Sequence, residues 1–167
     1  MKKLMLLFVL FAAMSVNAQS ENKVAELMAK HWVSSGTFSF GFDRAGMHTR
    51  SYSLRSGYEV LPKFVPFYQL ETQIGLYHKG QEKDYFNTVN MGLGARYNLI
   101  PQIGVHGLWA TSLGDRGWKY NVYEVGVTLK GSRKQSQTLG FGYRFVDSRT
   151  KGIDDYKGFF VSVGFCL

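Results

Sequence analysis

From residue 32 onward, apolar residues recur at every second position, and over a chain of 167 residues this period constrains the fold more than any other feature. Successive side chains of an extended strand point to opposite faces, whereas a helix would repeat its apolar positions every three to four residues. Eight segments of about ten residues carry the alternation, near 32 to 42, 50 to 60, 67 to 77, 86 to 99, 103 to 112, 120 to 129, 138 to 146 and 158 to 167. Turn-forming residues separate them. Pro62, Pro66 and Pro101 are all read in connections, where a missing N–H costs no ladder bond.

The two faces differ in kind. One carries bulky apolar and aromatic groups, among them Phe38, Phe40, Phe42, Tyr52, Leu54, Leu70, Leu93, Tyr97, Trp109, Tyr123, Val125, Phe141, Tyr143, Phe159, Val161 and Phe165, and no charge interrupts it. The other carries Ser, Thr, Gln, Asn and Gly, with Arg55, Glu59, Glu71, Arg96, Glu124 and Arg144 as its charges. Three arginines opposite three glutamates suit a closed interior, where an unpaired ion is costly. His106 falls on the same face, and these seven residues are expected to form one interior polar network.

Alternating strands can close into a barrel with either face inward. A soluble lipid-carrying barrel would turn the apolar face in and leave the small-residue face in water. A water-facing side is usually rich in lysine, and this one has none in mid-strand. Eight strands enclose only enough room for side chains, so the Gly, Ser and Thr face fits inside and the aromatic face outside. The expected fold is all-β: an eight-stranded antiparallel up-and-down transmembrane β-barrel over residues 32–167.

The preceding segment fits export. Lys2 and Lys3, an apolar run over residues 4–13 and Val16-Asn17-Ala18 read as a signal peptide over residues 1–18. That run is too short to span a bilayer as a helix, and no other stretch approaches the roughly 20 apolar residues required. Removing it lowers the formal charge from +8 to +6. Residues 19–31 are expected to form a periplasmic lead-in, either disordered or a short amphipathic helix over Glu21 to Trp32 built on Val24, Leu27, Met28 and Trp32. Cys166 is the only cysteine, so no intramolecular disulfide forms, and none follows the cleavage site to carry a lipid anchor. With no basic helix or nucleic-acid motif, the positive balance points to anionic lipid head groups rather than nucleic acid.

The closing run Gly158-Phe159-Phe160-Val161-Ser162-Val163-Gly164-Phe165-Cys166-Leu167 resembles the terminal strand that outer-membrane barrels present to their insertion machinery, with Leu167 in place of the usual final aromatic. Over residues 32–167 the pattern is similar to the small outer-membrane β-barrel family that includes the OmpA membrane domain and OmpX. That resemblance implies location in the cell outer membrane of a Gram-negative bacterium, with outer-membrane lipids, lipopolysaccharide and the insertion machinery as partners. It implies no activity. With the amino terminus in the periplasm, residues 61–66, 99–102 and 130–137 would be periplasmic turns. Residues 43–49, 78–85, 113–119 and 147–157 would be external loops of mixed charge, including Arg44, Lys79, Asp115, Arg149 and Asp155.

Catalytic chemistry is thinly represented. His31, His48, His78 and His106 lack the third ligand and spacing of a metal site. Lipid A deacylases of the PagL type use a His-x-Ser-Asn motif on a late strand. Residues 141–149 resemble that region, but Val146 stands where the histidine belongs and Arg149 where the asparagine does. A serine without its base is a poor nucleophile. Palmitoyl transferases of the PagP type combine a lead-in helix with eight strands, yet no His, Asp and Ser set appears in the loops. Gly107-Leu108-Trp109 matches a lipocalin tripeptide on the wrong strand, and Gly92-Leu93-Gly94 and Gly140-Phe141-Gly142 lie inside strands rather than phosphate loops. The reading is an integral membrane protein of structural or surface-interaction role that is not an open porin, with no catalytic residues, no metal and no cofactor. A lipid-A-modifying enzyme and a soluble periplasmic lipid carrier are the alternatives.

Overall fold

The computed structural model describes residues 31–43, 48–76, 85–114, 119–131, 136–151 and 154–166. The signal segment, residues 19–30 of the lead-in, residues 44–47, 77–84 (with His78), 115–118, 132–135 and 152–153 of the connections, and Leu167 lie outside the described residues. Eight strands follow in order: β1 (Trp32–Asp43), β2 (His48–Tyr58), β3 (Phe64–Leu76), β4 (Tyr85–Ile100), β5 (Ile103–Ser112), β6 (Tyr120–Lys130), β7 (Gln137–Ser148) and β8 (Tyr156–Cys166). Each pairs with its sequence neighbours, and β8 returns antiparallel to β1 through Ser35↔Cys166 to Asp43↔Gly158, closing the barrel. Closure leaves no free edge. No helix among the described residues is long and apolar enough to cross a membrane.

Period two sets the faces. Along β8 the burial alternates at every residue, with Tyr156, Gly158, Phe160, Ser162 and Gly164 inward and Phe159, Val161, Val163 and Phe165 outward. The outward set is exposed in bulk: Leu93 by 66%, Val125 by 62% and Phe159 by 70%. Inside, Gln69, Gln73, Glu71, Asn90, Glu124 and Arg144 are buried. This is the inverse of a lipid-carrying barrel, whose apolar face lines the cavity.

One expectation is corrected. Pro66 lies inside β3 opposite Ala95, because that strand begins three residues earlier, at Phe64. Lys63 O accepts from Asn98 N at 2.8 Å, so the odd-numbered residues here direct their backbone groups to β4. Pro66 therefore turns its nitrogen toward β2, whose register with β3 ends one pair earlier at Gly57↔Phe67. The missing N–H lies beyond the end of that ladder. The connection before it is a tight turn in which Phe64 N donates to Leu61 O at 2.9 Å and Lys63 takes a φ of 72°.

The interior is also less uniformly small than its glycines and serines suggest. Ala110, Tyr120, Val122, Val146 and Tyr156 form a buried apolar cluster at the end of the barrel that carries the longer loops. Phe67 and Phe160 also point inward. Glycines make the room: a Cβ on Gly94 would meet Phe67 Cζ at 2.5 Å, and one on Gly142 would meet Phe160 Cε1 at 2.8 Å.

Candidate functional site

Mid-barrel, six strands deliver one connected polar cluster. Arg144 on β7 is its hub, 2% exposed and directly opposite Glu124 of β6 in the ladder. Its Nη1 and Nη2 donate to the two carboxylate oxygens of Glu71 on β3, at 3.0 and 2.9 Å, in the parallel geometry that suits a guanidinium. Its Nε donates to Glu124 Oε2 at 2.8 Å. Arg144 thus bridges two carboxylates across the lumen.

The second oxygen of Glu124 faces the opposite way along the barrel. Glu124 Oε1 accepts from Arg55 Nη2 of β2 at 2.7 Å and lies 3.0 Å from His106 Nε2 of β5. Arg55 Nε also donates to Gln69 Oε1, and Gln69 Nε2 donates to Glu71 Oε2 at 3.1 Å, which closes a ring of hydrogen bonds. Asn90 of β4 donates to Glu71 Oε1 and to the Tyr120 hydroxyl, both at 3.1 Å, and so ties the charges to the apolar cluster above. Two aromatic rings flank the arginines, Phe67 5.3 Å from the Arg55 guanidinium and Phe160 5.5 Å from that of Arg144. Phe67, Phe160, Gln69, Gln73, Asn90 and Tyr120 belong to the cluster beside the charged residues. Parity with Glu71 along β3 picks out Phe67, Gln69 and Gln73, and parity with Glu124 along β6 picks out Tyr120, whereas Asn90 and Phe160 lie on strands that carry none of these charges.

Of the seven residues singled out from the sequence, the structure brings five together: Arg55, Glu71, His106, Glu124 and Arg144. Arg96 and Glu59 stand outside these ion pairs, although Arg96 borders His106 and Arg55. Arg96 pairs in register with Val65 and His106, at the end of the barrel bearing the short turns. Its Nε and Nη2 are buried with no acceptor among the described residues. Glu59 lies past the end of β2 and accepts from Lys63 N at 2.7 Å.

Among the described residues no group of three His, Cys, Asp or Glu side chains could hold a metal ion. Val146, at the position of the deacylase histidine, is fully buried inside the barrel. Ser148 receives its neighbours from the loop that follows: Asp155 Oδ1 accepts from its backbone N at 2.9 Å. His48 opens β2 with its ring edge-on to Phe42 at 5.6 Å.

No family model matches the chain, and no curated protein matches it. Among solved structures, a barrel from the de novo design of transmembrane β-barrels superposes with a TM-score of 0.57 at 11% identity, covering 81% of this chain and 95% of its own. At that identity the likeness is one of fold.

Proposed function

We propose that the chain is an integral outer-membrane protein of structural or surface-interaction role, with a lumen closed to bulk solutes. The observation that carries this reading is the pairing of an outward face of exposed Phe, Tyr, Trp, Leu and Val with an interior in which buried arginines are bound to carboxylates. Exposing so large an apolar belt to water would cost about 25 cal/mol for each Å², and acyl chains remove that cost. The export-like leader and the terminal-strand pattern favour the outer membrane, where lipopolysaccharide and the insertion machinery are the expected partners. The de novo relative, described as a transmembrane β-barrel, supports the membrane assignment through its fold.

Membrane fractionation tests it. The protein should stay with the lipopolysaccharide-containing membranes through high-salt washing and leave them only in detergent. Recovery in the aqueous fraction would sink the assignment. Lipid A from cells with and without expression should have the same acyl-chain number by mass spectrometry, because Val146 replaces the deacylase base and points away from lipid. Gain or loss of one chain would make it a lipid-modifying enzyme.

A further inference from the structure

The interior charges divide unevenly along the barrel. In the middle, Glu71 and Glu124 already satisfy Arg144 and one edge of Arg55. At the short-turn end the excess is positive. Arg96 projects there with two buried nitrogens that have no acceptor among the described residues, and Lys130, at the end of β6, is close enough to repel it. His106 Nδ1, on the side of the ring away from Glu124, is likewise buried without a partner among the described residues. Cys166 and, more weakly, Glu59 act on both Arg96 and Lys130 from the rim, and one oxygen of Glu59 is held by Lys63 N.

Arg96 and His106 line, with Arg55, a common cavity of about 40 Å³ whose wall also includes Thr128, Thr138 and Ser162, with Val65, Phe67 and Cys166 among the remaining lining residues. Such a volume holds about three waters, or one compact ion of comparable size. A guanidinium out of water without a counter-charge is strongly disfavoured, and hydroxyls beside it are oriented donors for an oxyanion. We propose that this cavity is a binding site for a small phosphate-type oxyanion, held by Arg96 and Arg55 and hydrogen-bonded by the surrounding hydroxyls. The site depends on the closed interior and not on which membrane surrounds it, so it stands or falls separately from the localisation above.

The probe is inorganic phosphate, followed by ³¹P line broadening and by the urea midpoint of the folded barrel in an uncharged, sugar-headgroup detergent at constant ionic strength. The wild-type protein should broaden the signal saturably and unfold at higher urea as phosphate rises. Arg96→Gln should weaken binding about tenfold or more, the loss expected for one charge-assisted contact. Glu59→Gln should tighten binding, because it removes the acidic competitor at the rim. Thr138→Val, which keeps every charge, should weaken it and serves if Arg96→Gln fails to fold. Glycerol 3-phosphate is too large for the cavity and should not compete. Equal competition would overturn assignment to the free ion in favour of a phosphomonoester end. Absent broadening, or equal broadening by wild type, Arg96→Gln and Thr138→Val, would overturn the site altogether.

Discussion

Arg144 reaches Glu71 and Glu124 from a position closed to water, so the three side chains hold one another's charge. Removing one member leaves the others buried and under-paired, at a cost of about 3 to 5 kcal/mol. Glu71→Ala should therefore lower stability by that amount. Leu93→Ala, on the exposed outer face, should cost less, since surrounding acyl chains can fill the space. Arg96→Ala belongs with the milder change despite the charge it removes, because it strands no carboxylate in the cluster. Urea unfolding in lipid vesicles gives the order directly, and Arg96→Ala proving as severe as Glu71→Ala would mean that the two lie in one network. Lys63 offers the opposite sign. Its φ of 72° lies where a side chain is strained by roughly 1 kcal/mol and glycine is not. Lys63→Gly should leave stability unchanged or raise it by up to about 1 kcal/mol in the same assay, the loss of the weak 3.5 Å contact from Nζ to Leu99 O being small.

At the scale of strands, period two carries facing but not height. The alternation was enough to locate all eight strands and to turn Glu124 and Arg144 inward, because both properties depend only on parity. How far along the barrel a residue lies depends on register. Glu71 pairs with Asn90, six residues before Arg96 on β4, so about 20 Å measured along that strand separates Arg96 from the residue facing Glu71, at roughly 3.3 Å per residue. Composition cannot supply that offset, which is why six inward charges read as one group. Pro66 was misplaced for a related reason: a proline is tolerated in a strand when its nitrogen points past the end of a neighbour, and only the ladder shows where the neighbour ends. Glycines supply a test of strand packing. A Cβ on Gly142 would press on Val125 O and lie 2.6 Å from Gly126 Cα, both backbone atoms of β6, whereas a Cβ on Gly107 would have its nearest neighbour at 4.0 Å. Gly142→Ala should destabilise the barrel by about 1 to 3 kcal/mol, as overpacking does, and Gly107→Ala should have little effect. Band-shift gels of unheated protein would separate the two, and equal tolerance would show that β6 and β7 have slack at this level.

For the whole molecule, the arrangement predicts that no continuous water path runs from one end to the other. Eight strands leave a lumen only wide enough for side chains, and here the filling differs by level. At the longer-loop end, Tyr120 and Tyr156 are buried among Ala110, Val122 and Val146, and Tyr120 is fastened by its hydroxyl to Thr88 at 2.6 Å and to Asn90. Below them the Arg144 bridge crosses the lumen from β7 to β3, and Arg55 reaches from β2 to Glu124 on β6. At the short-turn end a pocket of about 40 Å³ remains between the inward side chains. An ion crossing the barrel would have to displace at least two charge pairs at once, each held in an interior where separating them is costly. Purified protein in planar bilayers should therefore show no large, steady single-channel conductance. Truncating the apolar cap alone, as in Tyr120→Ala, should leave the barrel closed because the ionic layer remains beneath it. The double change Glu124→Ala with Arg144→Ala removes that layer, along with the carboxylate partner of Arg55, and should admit small ions if the protein still folds. Stable conductance in the wild type would mean that the charge cluster does not close the lumen, and the role assigned to Arg144 would then have to be abandoned.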